Sequence, residues 1–245
     1  MLRCRTPFRH QRPAATPGER QPRGKETHRH DEFDAVIDDA PFVLGVDLDG
    51  VCMDYYGAMK PYAAAWMGRS PETLPDDVSY GFKEWEIDKF GGYDSLHQYL
   101  LDNRFFVDAP PMADAPEALR RLSNENVRIR IITHRLWIKG AHQEAASQTV
   151  EWLDKNDIPY WDLCFVRDKP VVGADLYIED TSKNIIALRE AGRPTIIFTN
   201  LGNVTLPGRR VSDWIEVERI VRDEHKRWST NRDAEAGLLA LGRAE

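Results

Sequence analysis

The chain has 245 residues, 42% of them hydrophobic and 30% charged, with a formal net charge of −7 at pH 7. That is the profile of a globular protein with one core and room for an inserted subdomain, and no apolar run approaches the ~18 residues that span a bilayer. Three cysteines, Cys4, Cys52 and Cys164, form no metal-like pair and leave an odd thiol, which fits a reducing cytoplasm better than a disulfide-stapled secreted domain.

The first thirty residues carry Arg3, Arg5, Arg9, Arg12, Arg20, Arg23, Lys25 and Arg29 against only Glu19 and Glu26, with Pro13, Pro17 and Pro22 among them. Such a stretch buries too little surface to offset its ordering entropy, so residues 1–36 read as a disordered basic tail. A transit peptide or a nucleic-acid-binding arm would have the same composition. Without the tail the body is acidic, which argues against stable nucleic-acid binding.

Order begins at "PFVLGV", a short apolar run that reads as a buried strand ending at Asp47 and Asp49. "YYGAMKPYAAAWMG" has the alanines and spaced aromatics of a helix, with Pro61 predicting a break or kink. Residues 70–112 mix proline, glycine and aromatics and suggest short helices broken at Gly91-Gly92. "DAPEALRRLSNEN" predicts a helix capped by Asp114 with Ala118, Leu119 and Leu122 on one face. There follow a strand in "VRIRIIT", a helix in "GAHQEAASQTVEWLDKN" and a short strand in "WDLCFV". Next come a strand in "ADLYIED", a helix in "SKNIIALREAG" closed by Gly192, and a strand in "PTIIFTN". A last helix starts at Ser212 or Asp213, and residues 226–245 show no clear pattern and are expected to fray. Strands alternating with helices of ten or more residues indicate an α/β fold whose parallel sheet is covered on both faces. The predicted organisation is a core from residues 37–53 and 113–225, a helical cap over residues 54–112 inserted after the first strand, and a C-terminal tail.

In open α/β sheets ligands bind beyond the carboxyl ends of the strands, and four strand ends here carry reactive groups. They are Asp47-Leu48-Asp49-Gly50, Thr133-His134-Arg135, Arg167-Asp168-Lys169 and Glu179-Asp180. Two carboxylates as close as Asp47 and Asp49 repel unless a cation or a retained proton relieves them.

The order hhhDxDG, then a threonine at a strand end, then a lysine about ten residues before an acidic pair, resembles the haloacid dehalogenase (HAD) superfamily of phosphotransferases. "VDLDGVCMDY" and "VRDKPVVGADLYIED" are similar to the matching segments of one branch, the 5'(3')-deoxyribonucleotidases. The resemblance covers most of residues 42–200. It implies a Rossmann-like core with a cap, and a magnesium-dependent phosphatase acting through an aspartyl-phosphate.

The chemistry is consistent with that. A phosphate monoester is a dianion, so a carboxylate nucleophile needs a divalent cation and a lysine beside it. Asp47 is the candidate nucleophile. Asp49 is the candidate general acid and base, a role that needs its proton near neutral pH, which a crowded anionic site would favour. A donor set of carboxylate oxygens with no histidine or thiol cluster selects magnesium. Asp47 and Asp180 are the expected side-chain ligands, the resemblance adds the Asp49 carbonyl, and Glu179 is a further candidate. Thr133 would donate to a phosphoryl oxygen and Lys169 would balance the charge, with Lys139 and Lys183 as rival cations near the rim. His134 stands where the branch usually has serine. His134, Arg135 and Arg167 are expected to contact the substrate, although Arg135 could instead pair with a cap or helix carboxylate. Asp175, at the start of its strand, reads as structural.

The insertion would sit over the rim and is rich in Tyr55, Tyr56, Tyr80, Phe82, Trp85, Phe90 and Tyr93. Such rings can stack on a base or form the cap's own core, and the place of Tyr55 in the first motif matches an aromatic that stacks on the base in the nucleotidases. The resemblance therefore implies a small phosphomonoester as substrate, with a nucleoside (deoxyribo)monophosphate the leading expectation. A sugar-phosphate phosphatase and a non-catalytic HAD-fold binding protein are the alternatives. The sequence predicts no membrane partner and leaves room for a homodimer.

Overall fold

The structure, a computed structural model, describes residues 40–242 apart from 138 and 139. The expected basic tail (1–36) and the rival cation Lys139 lie outside the described residues.

Six strands form one parallel sheet: β1 (Phe42–Val46), β2 (Val127–Thr133), β3 (Asp162–Phe165), β4 (Leu176–Glu179), β5 (Thr195–Phe198) and β6 (Arg210–Val211), in the order β3-β2-β1-β4-β5-β6. β1 is central, with Val46 beside Ile131 on one side and Ile178 on the other. The chain builds outward from β1 to β3, then crosses back to lay β4 on the opposite flank. That reversal is the switch point at which an open α/β sheet leaves a crevice. Because every strand points the same way, all their carboxyl ends meet at one edge. β1 and β4 are almost wholly buried, as strands covered on both faces must be. The two-residue β6 is too short to carry a pattern of its own, and the sequence did not announce it.

Helices α1 (Tyr55–Met67), α2 (Gly92–Asp102) and α3 (Phe105–Asp108) lie in the insertion between β1 and β2. Short 3-10 turns at Pro71–Thr73, Lys83–Trp85 and Ile87–Phe90 connect α1 to α2. Gly91 and Gly92 have φ of 112° and 77°, left-handed values open to glycine, and separate the last turn from α2. The core helices are α4 (Ala115–Asn124), α5 (His142–Lys155), α6 (Ser182–Glu190) and α7 (Trp214–Gly242). Gly192, at φ 70°, follows α6 as expected. Asp213 caps α7 by accepting the Glu216 N–H at 2.8 Å.

Three local expectations are corrected. α1 runs through Pro61 without a break. Met59, Ala63, Ala64 and Met67 are buried on its core face, and that packing outweighs one missing hydrogen bond. Asp114 stands at the start of α4 but with φ of 65° and no capping hydrogen bond, because side-chain capping calls for extended backbone there. Residues 226–242 do not fray but continue α7. The helix is anchored at its start by the fully buried Trp214, whose Nε1 donates to Val51 O at 2.8 Å. Among the described residues no helix is long and apolar enough to cross a membrane.

Candidate active site

The carboxyl edge of the sheet opens into a cavity of about 1230 Å³ whose lining includes Asp47, Asp49, Lys169 and Asp180 from the core and Tyr55, Tyr56 and Tyr93 from the insertion. These core residues arrive from three strand ends: Asp47 and Asp49 after β1, Lys169 after β3 and Asp180 after β4. Asp47 follows β1 directly, and its backbone N–H donates to Ile178 O of β4 at 3.1 Å, which fixes the point where the chain leaves the sheet. Gly50, at φ 84°, then turns the chain back. A Cβ on Gly50 would land on the Asp180 Oδ2 and against the Tyr56 ring, so the bend and the acidic pair need glycine here for both torsion and space.

Lys169 is buried between two carboxylates, its Nζ 2.6 Å from Asp47 Oδ1 and 2.6 Å from Glu179 Oε2. Burial opposes its charge, but Asp47 and Glu179 hold the ammonium above the usual lysine value. Of the rival cations, Lys183 stays exposed at the lip of the cavity. Burial pushes the Asp47 carboxyl up, and Glu179 adds to the push. Burial and the Glu179 charge also push Asp180 up, to about 7. Glu179 itself is held below the usual range by Lys169 in spite of its burial.

Carboxylate oxygens of Asp47, Glu179 and Asp180 lie within 4.8 Å of one another, close enough to share one cation. Glu179 is the poorest of the three as a ligand. Its Oε2 takes Lys169 while Oε1 accepts the Thr181 N–H at 3.0 Å and the Asn184 amide at 3.2 Å, and it does not line the cavity. Asp47 and Asp180 do line it. With all groups ionised, the four carboxylates of Asp47, Asp49, Glu179 and Asp180 face the two cations Lys169 and Arg135, a deficit of two charges that a divalent ion would close.

The residues after β5, which the motif reading passed over, belong to the same group. Asn200 Nδ2 donates to Asp180 Oδ2 at 2.8 Å, and Asn203 Nδ2 donates to Asp180 O at 2.7 Å. The Asn200 amide cannot be turned over without setting its oxygen against a carboxylate. Its Oδ1 is buried with no hydrogen-bond partner among the described residues. A buried acceptor requires a donor, and the waters that a hard divalent ion retains are donors. "FTN" sits at a strand end like the other motifs, so the rim rule alone could have found it.

Asp49 differs from expectation. It is not surrounded only by anions, because the Arg135 guanidinium holds both its oxygens, with Nη2 2.6 Å from Oδ1 and Nε 3.1 Å from each oxygen. Arg135 thus pairs with Asp49 rather than with a cap or helix carboxylate, and it too lines the cavity. Thr133 is fully buried, its Oγ1 accepts the Arg135 N–H at 3.3 Å, and it is absent from the cavity lining. His134 and Arg167 do line the cavity and are exposed. The His134 residue is exposed as a whole, but partial desolvation of its ring against the cavity wall, with the Lys169 charge adding to it, lowers its pKa. Asp175 is structural, exchanging hydrogen bonds with Val43 through its side chain (2.7 Å) and backbone (2.9 Å).

The aromatics of the insertion divide. Phe82 and Trp85 are buried and stacked at 5.0 Å between centroids, a core pair. Tyr80 and Phe90 are exposed. Tyr93 lines the cavity and stacks on His97 at 3.9 Å. Tyr55 also lines it, but is 5% exposed and hydrogen-bonded to His97 Nε2 at 2.5 Å. His97 Nδ1 lies 3.0 Å from Tyr93 O, an acceptor only, so Nδ1 carries the proton and Nε2 accepts from the Tyr55 hydroxyl. Burial lowers the His97 pKa to about 4, which keeps this relay neutral.

Residues 41–226 match the family model described as 5' nucleotidase, deoxy (pyrimidine), cytosolic type C protein. An inferred 5'(3')-deoxyribonucleotidase of Chlorobaculum tepidum is 47% identical over 181 residues, covering 74% of this chain and 90% of that protein. The mitochondrial 5'(3')-deoxyribonucleotidase of Mus musculus is 25% identical over 193 residues, covering 74% and 85%. Among solved structures, an inferred haloacid dehalogenase-like hydrolase of Bacteroides fragilis superposes with a TM-score of 0.52 at 14% identity, covering 73% of this chain and all of that one.

Proposed function

The chain belongs to the cytosolic type C 5' (deoxy, pyrimidine) nucleotidase family, a HAD-fold phosphoric monoester hydrolase branch, and from that premise we propose that it hydrolyses nucleoside (deoxyribo)monophosphates through an aspartyl-phosphate on Asp47. The observation that carries the reading is the convergence on one cavity of Asp47 and Asp49 with Lys169 and Asp180, more than a hundred residues further along the chain.

Asp47 attacks phosphorus, a bond forms from its carboxylate oxygen, and the bond from phosphorus to the substrate oxygen breaks. Asp49 gives that oxygen its proton, then takes one from the water that cleaves the acyl phosphate and frees inorganic phosphate. Lys169 holds Asp47 in place and offsets the phosphoryl charge. Asp47 and Asp180 would hold Mg2+, with the Asp49 carbonyl as a third ligand, and the ion would supply charge neutralisation for an anionic nucleophile meeting an anionic substrate. Residues 54–112 act as the cap that excludes water, with Tyr93 and Tyr55 along the wall facing the base. The exposed His134 and Arg167, which also line the cavity, contact the substrate. The reading includes a reducing, cytoplasmic setting, which the free thiols of Cys52 and Cys164 support.

The test is phosphate release from a panel of nucleoside monophosphates and sugar phosphates, with Mg2+ and with chelator. Turnover of nucleotides that stops on chelation is the expected result. Turnover of sugar phosphates alone would replace the substrate assignment, and release unaffected by chelation would remove the ion. Asn200→Leu removes the orphan acceptor and the donor to Asp180 together. It is expected to weaken Mg2+ binding, followed by calorimetric titration, by about 10-fold or more. Unchanged affinity would place Asn200 outside the ion's surroundings.

A further inference from the structure

We infer that Arg135 is the positioning residue for Asp49, tying the acid of the reaction to the insertion above it. The inference rests on the phosphatase reading and deepens it.

The guanidinium has no free fork to offer a phosphate. Nε and Nη2 go to Asp49, Nη2 also lies 3.0 Å from the Met53 sulfur, and Nη1 reaches Thr149 Oγ1 of α5 at 3.3 Å. One face of the group lies 4.7 Å from the centre of the Phe106 ring, on α3, the last helix of the insertion. Both residues line the cavity, but the Arg135 side chain is 3% exposed and the Asp49 side chain 25%, so the carboxylate is the more accessible of the two. A planar fork on both oxygens removes the free rotation an isolated carboxylate would have and aims it. Neither a lysine nor a neutral amide can reproduce that grip. Its neighbours fix the fork from three directions: Phe106 on one face, Thr149 at one edge, and the buried Thr133 hydroxyl on its own backbone N–H. The burial of Thr133 thus has a use even though its side chain stays out of the cavity wall.

The experiment compares wild type, Arg135→Ala, Asp49→Asn and the double variant on two substrates. One is a nucleoside 5'-monophosphate, whose leaving alkoxide must be protonated, and the other is p-nitrophenyl phosphate, whose leaving phenolate is stable without a proton. If Arg135 acts through Asp49, Arg135→Ala lowers kcat on the nucleotide by about 100-fold with KM within about twofold, and lowers it by about tenfold or less on the aryl ester. The double variant then matches Asp49→Asn on the nucleotide, because two residues acting as one unit are not additive. Millimolar guanidinium restores part of the Arg135→Ala loss, and Arg135→Lys restores little. A rise in KM at unchanged kcat would make Arg135 a substrate ligand and overturn the inference. Equal losses on both substrates, additive with Asp49→Asn and accompanied by a lower melting temperature, would reduce it to packing. A wild type inert toward every phosphate ester would instead overturn the phosphatase reading on which the inference stands.

Discussion

Replacement of Asp47 by asparagine is expected to lower turnover of any phosphomonoester by about 10⁴-fold or more while leaving the fold intact. The amide has the size of the carboxylate but cannot form the acyl phosphate, so the covalent step has no entry. Folding should hold because Lys169 keeps Glu179 as its counter-ion at 2.6 Å. One charge is also removed from a cluster in which burial and Glu179 already push Asp47 toward its neutral form. Steady-state kinetics together with urea unfolding checks both halves. Retained activity would mean that another group attacks phosphorus. A collapsed fold would mean that Asp47 is a structural anchor first.

Lys169→Met is expected to damage both stability and activity. Its Nζ is the ammonium between Asp47 and Glu179, and all three side chains are nearly inaccessible, at 2%, 9% and 1% exposure. Removing one partner of a buried ion pair leaves the other charges without compensation, a loss of about 3–5 kcal/mol. Here two carboxylates are stranded, so each must give up its charge or draw in water. Urea midpoints measured without divalent ions should show the loss. Added Mg2+ should recover part of it in the variant and less in wild type, because a second cation can stand in for the ammonium only where the ammonium is missing. A Lys169→Met protein as stable as wild type in chelator would show that the acidic cluster is relieved by some other route.

The two variants differ in what they remove. Asp47→Asn takes out a reactant and eases the crowding, whereas Lys169→Met keeps the reactant and worsens the crowding. The contrast between a metal-free stability that holds in Asp47→Asn and one that falls in Lys169→Met is therefore a check on the electrostatics that does not depend on which ester is the substrate.

Much of this was written along the chain. The apolar run into Asp47, the return of a strand at "VRIRIIT" and the "ADLYIED" segment are local signals, and parallel strand order follows from their alternation with helices. Lys169 and Asp180 were found because strand ends in such folds share one edge. The places where sequence reasoning fell short have a common cause. Pro61 looked like a break because propensity speaks only for the isolated helix, and the buried face of α1 outweighed it. The reach of α7 to Gly242 was hidden because its C-terminal stretch carries too weak an apolar stripe to read. Asn200, the last residue of the "PTIIFTN" run, and Asn203 beyond it drew no assignment from the motifs, and only the fold shows them donating to Asp180.

The sequence by itself determined the inventory and the edge: which reactive groups the chain has, and that strand ends would bring them to the same side of the sheet. Only the tertiary structure decided which charge stands against which. Arg135 meets Asp49 across 86 residues, Lys169 takes Glu179 as well as Asp47, and Thr133 turns inward to the backbone. Strand and helix patterns arise from neighbours a few residues apart and are visible in a window of that size. The strength of an ion pair depends on distance and burial in space, neither of which exists until remote segments have packed together.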